Sequence, residues 1–171
     1  MADAVSTAAT ADLLLPQLAR SVSYLRGLVA EIGEDEFATQ PAGAEVNTPW
    51  WVVGHVTLTL GSSVKICGGE SPVPKSYGPL FGGGSAAVPA DPDAAPGKAD
   101  LMAVFDAAVD ELTRVLPHAD PERLAAARDT SFAPELPRQV DMLAFLIGPH
   151  FGIHAGQLTV WRRLTGRPPR F

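Results

Sequence analysis

The chain has 171 residues, of which 46% are hydrophobic, and a formal net charge of −6. This length suits one domain with a full core, and the apolar content is too high for a disordered chain. The negative charge argues against a nucleic-acid-binding protein. Cys67 is the only cysteine in the sequence, which excludes an internal disulfide and favours a cytoplasmic location.

The N-terminus has no basic stretch followed by an apolar run, so no signal peptide is expected. No apolar stretch reaches the ~20 residues of a membrane span, so no membrane partner is expected either. Alanine and leucine are abundant, whereas alternating β-branched residues are scarce. We therefore expect a single all-α domain over residues 1–171, with residues 1–10 flexible.

The first half of the chain predicts two long helices. Apolar residues spaced by three and four predict a helix over about 12–32, with Pro16 in its first turn and Gly33 at its end. The triplet Asn47-Thr48-Pro49 is a strong helix start, because it combines a capping side chain with a proline at the first helical position. It predicts a second helix over 48–67, which the glycines at 68 and 69 end.

Residues 71–97 contain six prolines and five glycines and predict a connection rather than an element. A segment of this length can cross a whole helical bundle, so the third helix, over 98–116, can run parallel to the second. A shorter connection over 129–137 leads to a fourth helix over 138–165. Together these segments predict a bundle of four helices.

Three of the four histidines lie on apolar stripes. His150 and His154 are four residues apart, on one face of the fourth helix, and His55 shares a face of the second helix with Trp51 and Leu58. An unpaired buried imidazole costs roughly 1–3 kcal/mol. A metal ion bound by His55, His150 and His154 removes that cost, and the alternative is a set of ordinary hydrogen-bonded core histidines. The fourth, His118, follows Pro117 in a turn and is expected to be exposed.

Three protein ligands leave a coordination position open, as in catalytic metal sites. Nitrogen ligands suit Zn, Ni, Fe or Co; we take zinc as the default, with nickel or iron as the main alternatives. Water, a thiolate or a carbonyl oxygen can occupy the open position. No catalytic side chain is assigned, because no acid–base partner stands out in the sequence.

Several other residues allow two interpretations. Trp51 and Gln157 are candidates for the pocket, but core packing and a hydrogen bond along the helix face explain them as well. Gly156 is expected to permit close helix packing. Pro149 removes a hydrogen bond of the fourth helix, and the resulting kink either aims His150 inward or displaces it.

Four arginines lie near the C-terminus, at 162, 163, 167 and 170. They could bind an anionic substrate or, as we prefer, they complement the dipole at the C-terminus of the fourth helix.

Three fragments carry a family resemblance: Trp51-Val52-Val53-Gly54-His55-Val56 on the second helix, residues 77–85 (YGPLFGGGS) in the connection, and residues 150–158 (HFGIHAGQL) followed by 162–168 (RRLTGRP). In this order and spacing the sequence resembles the DinB-like superfamily of bacterial four-helix-bundle proteins. The resemblance implies an up-down-down-up bundle with a long crossover between helices two and three. It also implies that His55, His150 and His154 bind a divalent metal.

The resemblance further implies kinship with metal-dependent bacterial thiol transferases and hydrolases. Two functions remain open from the sequence. The first is a metal-dependent enzyme, a thiol S-transferase or a hydrolase, whose partner is a small-molecule substrate such as a low-molecular-weight thiol. The second is a non-catalytic metal-binding or dimerising bundle. A homodimer through an exposed apolar helix face is an expectation under either.

Overall fold

The computed structural model describes residues 5–129 and 134–170, so residues 1–4 of the predicted flexible terminus and 130–133 of the predicted connection lie outside it. The helices, in chain order, are α1 (Thr7–Val29), α2 (Pro49–Ile66), α3 (Tyr77–Phe81), α4 (Lys98–Val115), α5 (Pro121–Ala125), α6 (Gln139–Phe145) and α7 (Phe151–Leu164). A 3₁₀ turn follows α4 at Leu116–His118, and a π-helical turn, Leu146–His150, joins α6 to α7. Across the described ranges, extended pairing is confined to one bridge between Ala127 and Arg138, which confirms the all-α class.

The start of α1 differs from the prediction. The helix begins at Thr7 rather than near residue 12, because the Ser6 side chain accepts a hydrogen bond from the backbone amide of Ala9. The Thr7 hydroxyl also donates to the carbonyl of Ala119, which ties this first turn to the rest of the molecule. Pro16 therefore lies inside the helix and not in its first turn, and residues 7–10 are part of the helix.

The end of α1 also differs. The helix stops at Val29, before the predicted stop at Gly33, and Gly33 does not adopt a positive φ. Cations from distant segments bind the terminal carbonyls instead: Lys98 donates to the carbonyls of Val29 and Ile32, and Arg162 donates to that of Leu28. Long-range capping fixes this helix end, and a local pattern does not contain that information.

The crossover over 71–97 contains a short element that the sequence analysis missed. The helix α3 forms because Tyr77 and Phe81 are buried, and the Phe81 ring packs directly onto Gly54 of α2. A Cβ built on Gly54 would lie 2.2 Å from that ring, so only glycine permits this contact. The crossover is thereby fastened to the middle of α2, on the side that carries His55.

The fourth predicted helix is interrupted by the π-helical turn. Pro149 has no N–H to offer to the carbonyl of Phe145, and the chain accommodates this by widening one turn instead of breaking. The Ser21 hydroxyl of α1 donates to the carbonyl of Ile147 within this turn, at 3.4 Å. Gly148 lets α1 approach closely, since a Cβ there would lie 3.3 Å from the Gln17 side-chain oxygen.

The core lies between α1, α2, α4 and the π turn with α7. α2 packs along α4, and α1 packs against the π turn and α7. Its largest fully buried apolar side chains include Trp161, Phe37, Phe81, Phe105 and Phe151. Of the helices within the described residues, none is both long and apolar enough for a membrane crossing.

Candidate metal centre

Three imidazoles converge between α2 and the junction of the π turn with α7. Nε2 of His150 lies 3.2 Å from Nε2 of His55 and 3.2 Å from Nε2 of His154. One ligand atom from each of the three rings lies within 4.8 Å of the others. The structure thus brings together the three histidines that the sequence selected. His118 is exposed, as predicted, and is not part of the cluster.

A backbone carbonyl of the crossover orients His55. Nδ1 of His55 donates to the carbonyl oxygen of Phe81 at 2.6 Å. A carbonyl oxygen can only accept, so the ring hydrogen resides on Nδ1 and the Nε2 lone pair is free. The Phe81 carbonyl is held in place because the Phe81 ring occupies the space that Gly54 leaves on α2.

A side-chain amide orients His154 in the same way. Oε1 of Gln157 accepts from Nδ1 of His154 at 2.8 Å and from Nδ2 of Asn47 at 3.0 Å. The donation from Asn47 identifies the accepting atom as the oxygen, and it fixes the tautomer of His154 with a free Nε2. Gln157 therefore supports the cluster from outside, and Asn47 supports Gln157.

His150 is held differently. It ends the π turn, so the widened turn directs its ring toward the other two instead of displacing it. The Phe145 ring meets the imidazole edge to face, with centroids 5.5 Å apart. Its Nδ1 is buried without a hydrogen-bond partner among the described residues. His150 is positioned by packing and backbone geometry, and its outer nitrogen, unlike those of His55 and His154, has no partner among the described residues.

Trp51 covers one side of the cluster. Its ring stacks on that of His55, with centroids 4.6 Å apart and planes only 8° from parallel. Its indole N–H donates to the Ser85 hydroxyl, which in turn donates to the carbonyl of Leu80. The crossover therefore holds the tryptophan over His55 as well as supplying the acceptor behind that histidine.

Burial keeps the three rings neutral. Desolvation lowers the pKa of His55 and of His154, and it lowers the pKa of His150 to about 4, with the two neighbouring imidazoles adding to the shift. A neutral ring with its hydrogen on Nδ1 presents an unshared electron pair on Nε2, which is the form that ligates a metal.

The donor set fits a cation better than a hydrogen-bonded cluster. Nε2 of His55 and Nε2 of His154 both need a donor, whereas His150 can supply one hydrogen at most. The buried Nδ1 of His150 has no partner among the described residues whether or not a metal is bound, so it favours neither arrangement. A divalent ion satisfies all three lone pairs. Tetrahedral ligation at ~2.0–2.1 Å places ligand nitrogens roughly 3.3 Å apart, close to the two separations of 3.2 Å from Nε2 of His150.

A comparison with protein-family models matches residues 17–158 to the DinB superfamily. The chain belongs to the DinB superfamily. The match spans all three histidines, α2, the crossover and the π turn, and it ends at Leu158, next to Gln157. A comparison with curated proteins finds no match to this DinB-superfamily chain.

The site of this DinB-superfamily protein contains groups that sequence reasoning missed. The Phe81 carbonyl, the Asn47 amide and the Ser85 hydroxyl were not among its candidates, although residues 77–85 were part of the family resemblance. Backbone acceptors carry no residue-type signal, so Phe81 could not be selected from the sequence. Asn47 was assigned to the helix start, but the side chain that accepts from the amide of Trp51 is that of Thr48.

Three of the four C-terminal arginines are paired with carboxylates of the protein itself. Arg162 is fully buried and pairs with Glu31, Arg170 pairs with the same carboxylate, and Arg167 pairs with Glu36. Arg162 therefore caps α1 rather than its own helix, which corrects the helix-dipole interpretation for this residue. Cys67 is buried, and burial raises the pKa of its thiol to about 12, which suits a small apolar side chain of the core rather than a nucleophile.

Proposed function

We propose that this DinB-superfamily protein is a metal-dependent enzyme that acts on a small molecule, as a thiol S-transferase or as a hydrolase. The observation that carries the proposal is that Nε2 of His55 and Nε2 of His154 each lie 3.2 Å from Nε2 of His150, while the outer nitrogens of His55 and His154 are fixed by acceptors. Kinship with metal-dependent thiol transferases and hydrolases supports the reaction class.

His55, His150 and His154 would hold the ion, with zinc as the default and nickel or iron as alternatives. A divalent ion held by three nitrogens with an open position supplies Lewis acidity toward a thiol, a water molecule or a carbonyl oxygen. The protein supplies orientation: Phe81 and Gln157 fix two ligand rings, and Trp51 shields His55 on one face. Such supports preserve ligand basicity and geometry.

The same family membership supports the up-down-down-up order of the four main helical segments, with residues 71–97 as the crossover. It also supports treating residues 1–171 as one domain. A cytoplasmic location and a low-molecular-weight thiol as co-substrate belong to the proposal too; they rest on the single cysteine and on the kinship.

Activity panels test the proposal. The protein, loaded in turn with Zn, Ni or Fe(II), is incubated with thiols paired with electrophiles and, separately, with small esters and amides. We expect turnover on at least one panel, loss of that turnover in His154→Ala, and its retention in His118→Ala, which removes an exposed histidine. Metal binding without turnover on any panel would contradict the enzyme and favour a non-catalytic metal-binding bundle.

One observation favours a dimerising bundle as the second candidate. Three of the large hydrophobic side chains exposed in the described chain, Ile153, Val160 and Leu164, share α7 and follow one another at intervals of seven and four residues. A second copy of the chain is the partner proposed for this face. Sedimentation velocity should show a dimer that dissociates in Ile153→Lys, and a wild-type monomer at all concentrations would contradict it.

A further inference from the structure

A cavity of about 700 Å³ lies beside the metal centre and shares Gln157 with it. Its walls come from the loop before α2, from the crossover and from α7. Gln157 faces the site through Oε1, which His154 and Asn47 occupy. The Nε2 of the same amide has no acceptor among the described residues, so it is available to a ligand.

The polar wall of this cavity contains three carboxamides and one carboxylate: Gln40, Asn47, Gln157 and Glu45. Oε1 of Gln40 accepts from the amide of Val46, and Nδ2 of Asn47 donates to Gln157. The remaining groups are the Nε2 atoms of Gln40 and Gln157, which donate, and the Oδ1 of Asn47, which accepts. None of these three is bonded within the described part of the chain.

The charge of the wall is negative. Glu45 is the one residue with a formal charge among those that line the cavity, and its exposed carboxylate has no cationic partner in the described ranges. An anionic ligand would meet repulsion and no arginine or lysine. A ligand with an ammonium group would gain an ion pair and hydrogen bonds to the carboxylate.

The rest of the wall is apolar. Val46, Val88 and Val160 line it from the loop, the crossover and α7, respectively. Methylene groups of a ligand would be removed from water against these side chains. An apolar wall with a few converging polar groups is typical of a small-molecule site.

We propose that this cavity binds an organic amine: a small molecule whose ammonium group pairs with Glu45, whose amide or hydroxyl groups bind the free ends of Gln40, Asn47 and Gln157, and whose carbon chain lies on the three valines. The cavity is the substrate-holding part of the active site, an assignment that rests on the proposed function. Because Gln157 contacts both the cavity and His154, the bound molecule lies one amide away from the metal ligands.

A matched pair of probes tests the charge preference. 6-Aminohexanamide and adipamate have six carbons and a terminal amide each, but the first carries a positive charge and the second a negative one. Titrations of ¹⁵N-labelled protein are followed through the side-chain amides of Gln40, Asn47 and Gln157, with and without zinc. We expect saturable shifts with 6-aminohexanamide and none with adipamate at the same concentration.

Two variants separate the effect of the Glu45 carboxylate on affinity from the effect of the protein's net charge. Glu45→Gln should weaken 6-aminohexanamide about 2- to 5-fold, the effect of losing one exposed ion pair. Glu122→Gln changes net charge equally, lies on α5 away from the cavity, and should leave the affinity unchanged. Both residues are exposed, so neither variant should disturb folding.

Equal binding of the two probes, or shifts only outside the cavity, would overturn the proposal. Shifts at Val46 and Val160 that depend on protein concentration in the absence of any probe would also overturn the proposal, because they would show that a second copy of the chain covers the cavity.

Zinc content is measured on the same samples. Zinc binding without a response to the amine overturns this inference alone, whereas an amine response without zinc binding overturns the proposed metal site and leaves the cavity's preference standing.

Discussion

The carbonyl oxygen of Phe81 lies 2.6 Å from Nδ1 of His55 and accepts its hydrogen. This contact joins the crossover, which contributes none of the three histidines, to the candidate metal centre through His55 of α2. It exists because Gly54 lets the Phe81 ring lie against the helix one residue before His55. The crossover therefore contributes to ligand geometry as well as to the fold.

Replacing Gly54 by alanine should weaken both the fold and the site. The added Cβ would lie 2.2 Å from the Phe81 ring, so α3 must move and its carbonyl must leave His55. We expect a loss of about 1–3 kcal/mol in the free energy of unfolding, as for other overpacked cores. Zinc affinity should fall about 10- to 100-fold, the usual cost of losing an outer hydrogen bond to a ligand. Urea unfolding and zinc titration measure the two effects.

Gly156→Ala is the matched control. Gly156 is exposed on α7, and a Cβ there meets no atom within 4 Å, so the expectation of close packing at this glycine was wrong. The substitution should stabilise the helix by about 0.5–1 kcal/mol and leave zinc affinity unchanged. Equal zinc affinity in both variants would contradict the role assigned to the Phe81 carbonyl.

Gln157 supports His154 through one oxygen atom. Gln157→Ala removes the acceptor of the His154 Nδ1 hydrogen and should lower zinc affinity about 10- to 100-fold. Gln157→Glu keeps an acceptor at this position and should retain zinc binding. Competition titration against a chromophoric chelator measures both. An alanine variant with wild-type affinity would show that this hydrogen bond does not matter to the ligand.

The metal-free protein should lose stability between pH 6.5 and about 4. An unfolded histidine takes up its proton near 6.5, whereas burial lowers the pKa of His55, His154 and, to about 4, His150 in the folded protein. The unfolded state binds more protons in this window, so the free energy of unfolding falls as the pH falls. Carboxyl groups with a lowered pKa also reduce stability as they are protonated, but only at lower pH. Asp141 is an example, since its pKa lies below the ordinary value of 3.8.

Denaturant unfolding at half-unit pH steps measures that dependence. His150→Phe, which keeps a ring of similar shape but does not titrate, should show a shallower loss of stability than the wild type. Identical slopes would contradict a neutral, buried His150. The lowered pKa values also imply that zinc binding persists below pH 6.5, the value expected from unperturbed histidines, because protons compete less strongly.

The buried guanidinium of Arg162 links α7 to the end of α1. It donates to the carbonyl of Leu28 and pairs with Glu31. Arg162→Ala removes the donor to the Leu28 carbonyl and leaves Glu31 paired with Arg170 alone, so it should lower Tm by roughly 5–10 °C. Its exposed neighbour Arg163 provides the control, and Arg163→Ala should leave Tm within about 1 °C. Similar melting of the two variants would contradict the capping role.

The sequence was sufficient to predict the helical class, the approximate bounds of α2 and α4, and the three histidines of the cluster. Helical periodicity places His150 and His154 on one face whatever the rest of the chain does. The N-cap at Thr48 and the positive φ of Gly68 are local signals, and they set the two ends of α2 close to the positions predicted from the sequence.

Other features depend on contacts between distant segments. The carbonyls at the end of α1 are bound by Lys98 and Arg162, so the helix ends without using Gly33. The π turn at Pro149 depends on how α1 packs against it, which decides whether a proline kinks, widens or breaks a helix. The cavity beside Gln157 is formed by three segments, and no single one of them indicates it in the sequence.

The metal content of the purified, untagged protein tests the central claim most directly. Wild type, His154→Ala and His118→Ala are incubated with Zn, Ni and Fe(II), freed of loose ions by gel filtration and measured by elemental analysis, with circular dichroism to check folding. We expect one ion per chain in the wild type and in His118→Ala, and a loss of more than tenfold in occupancy in His154→Ala. Equal content in all three proteins, or no metal in the wild type, would contradict the claim and show that His55, His150 and His154 are ordinary core histidines.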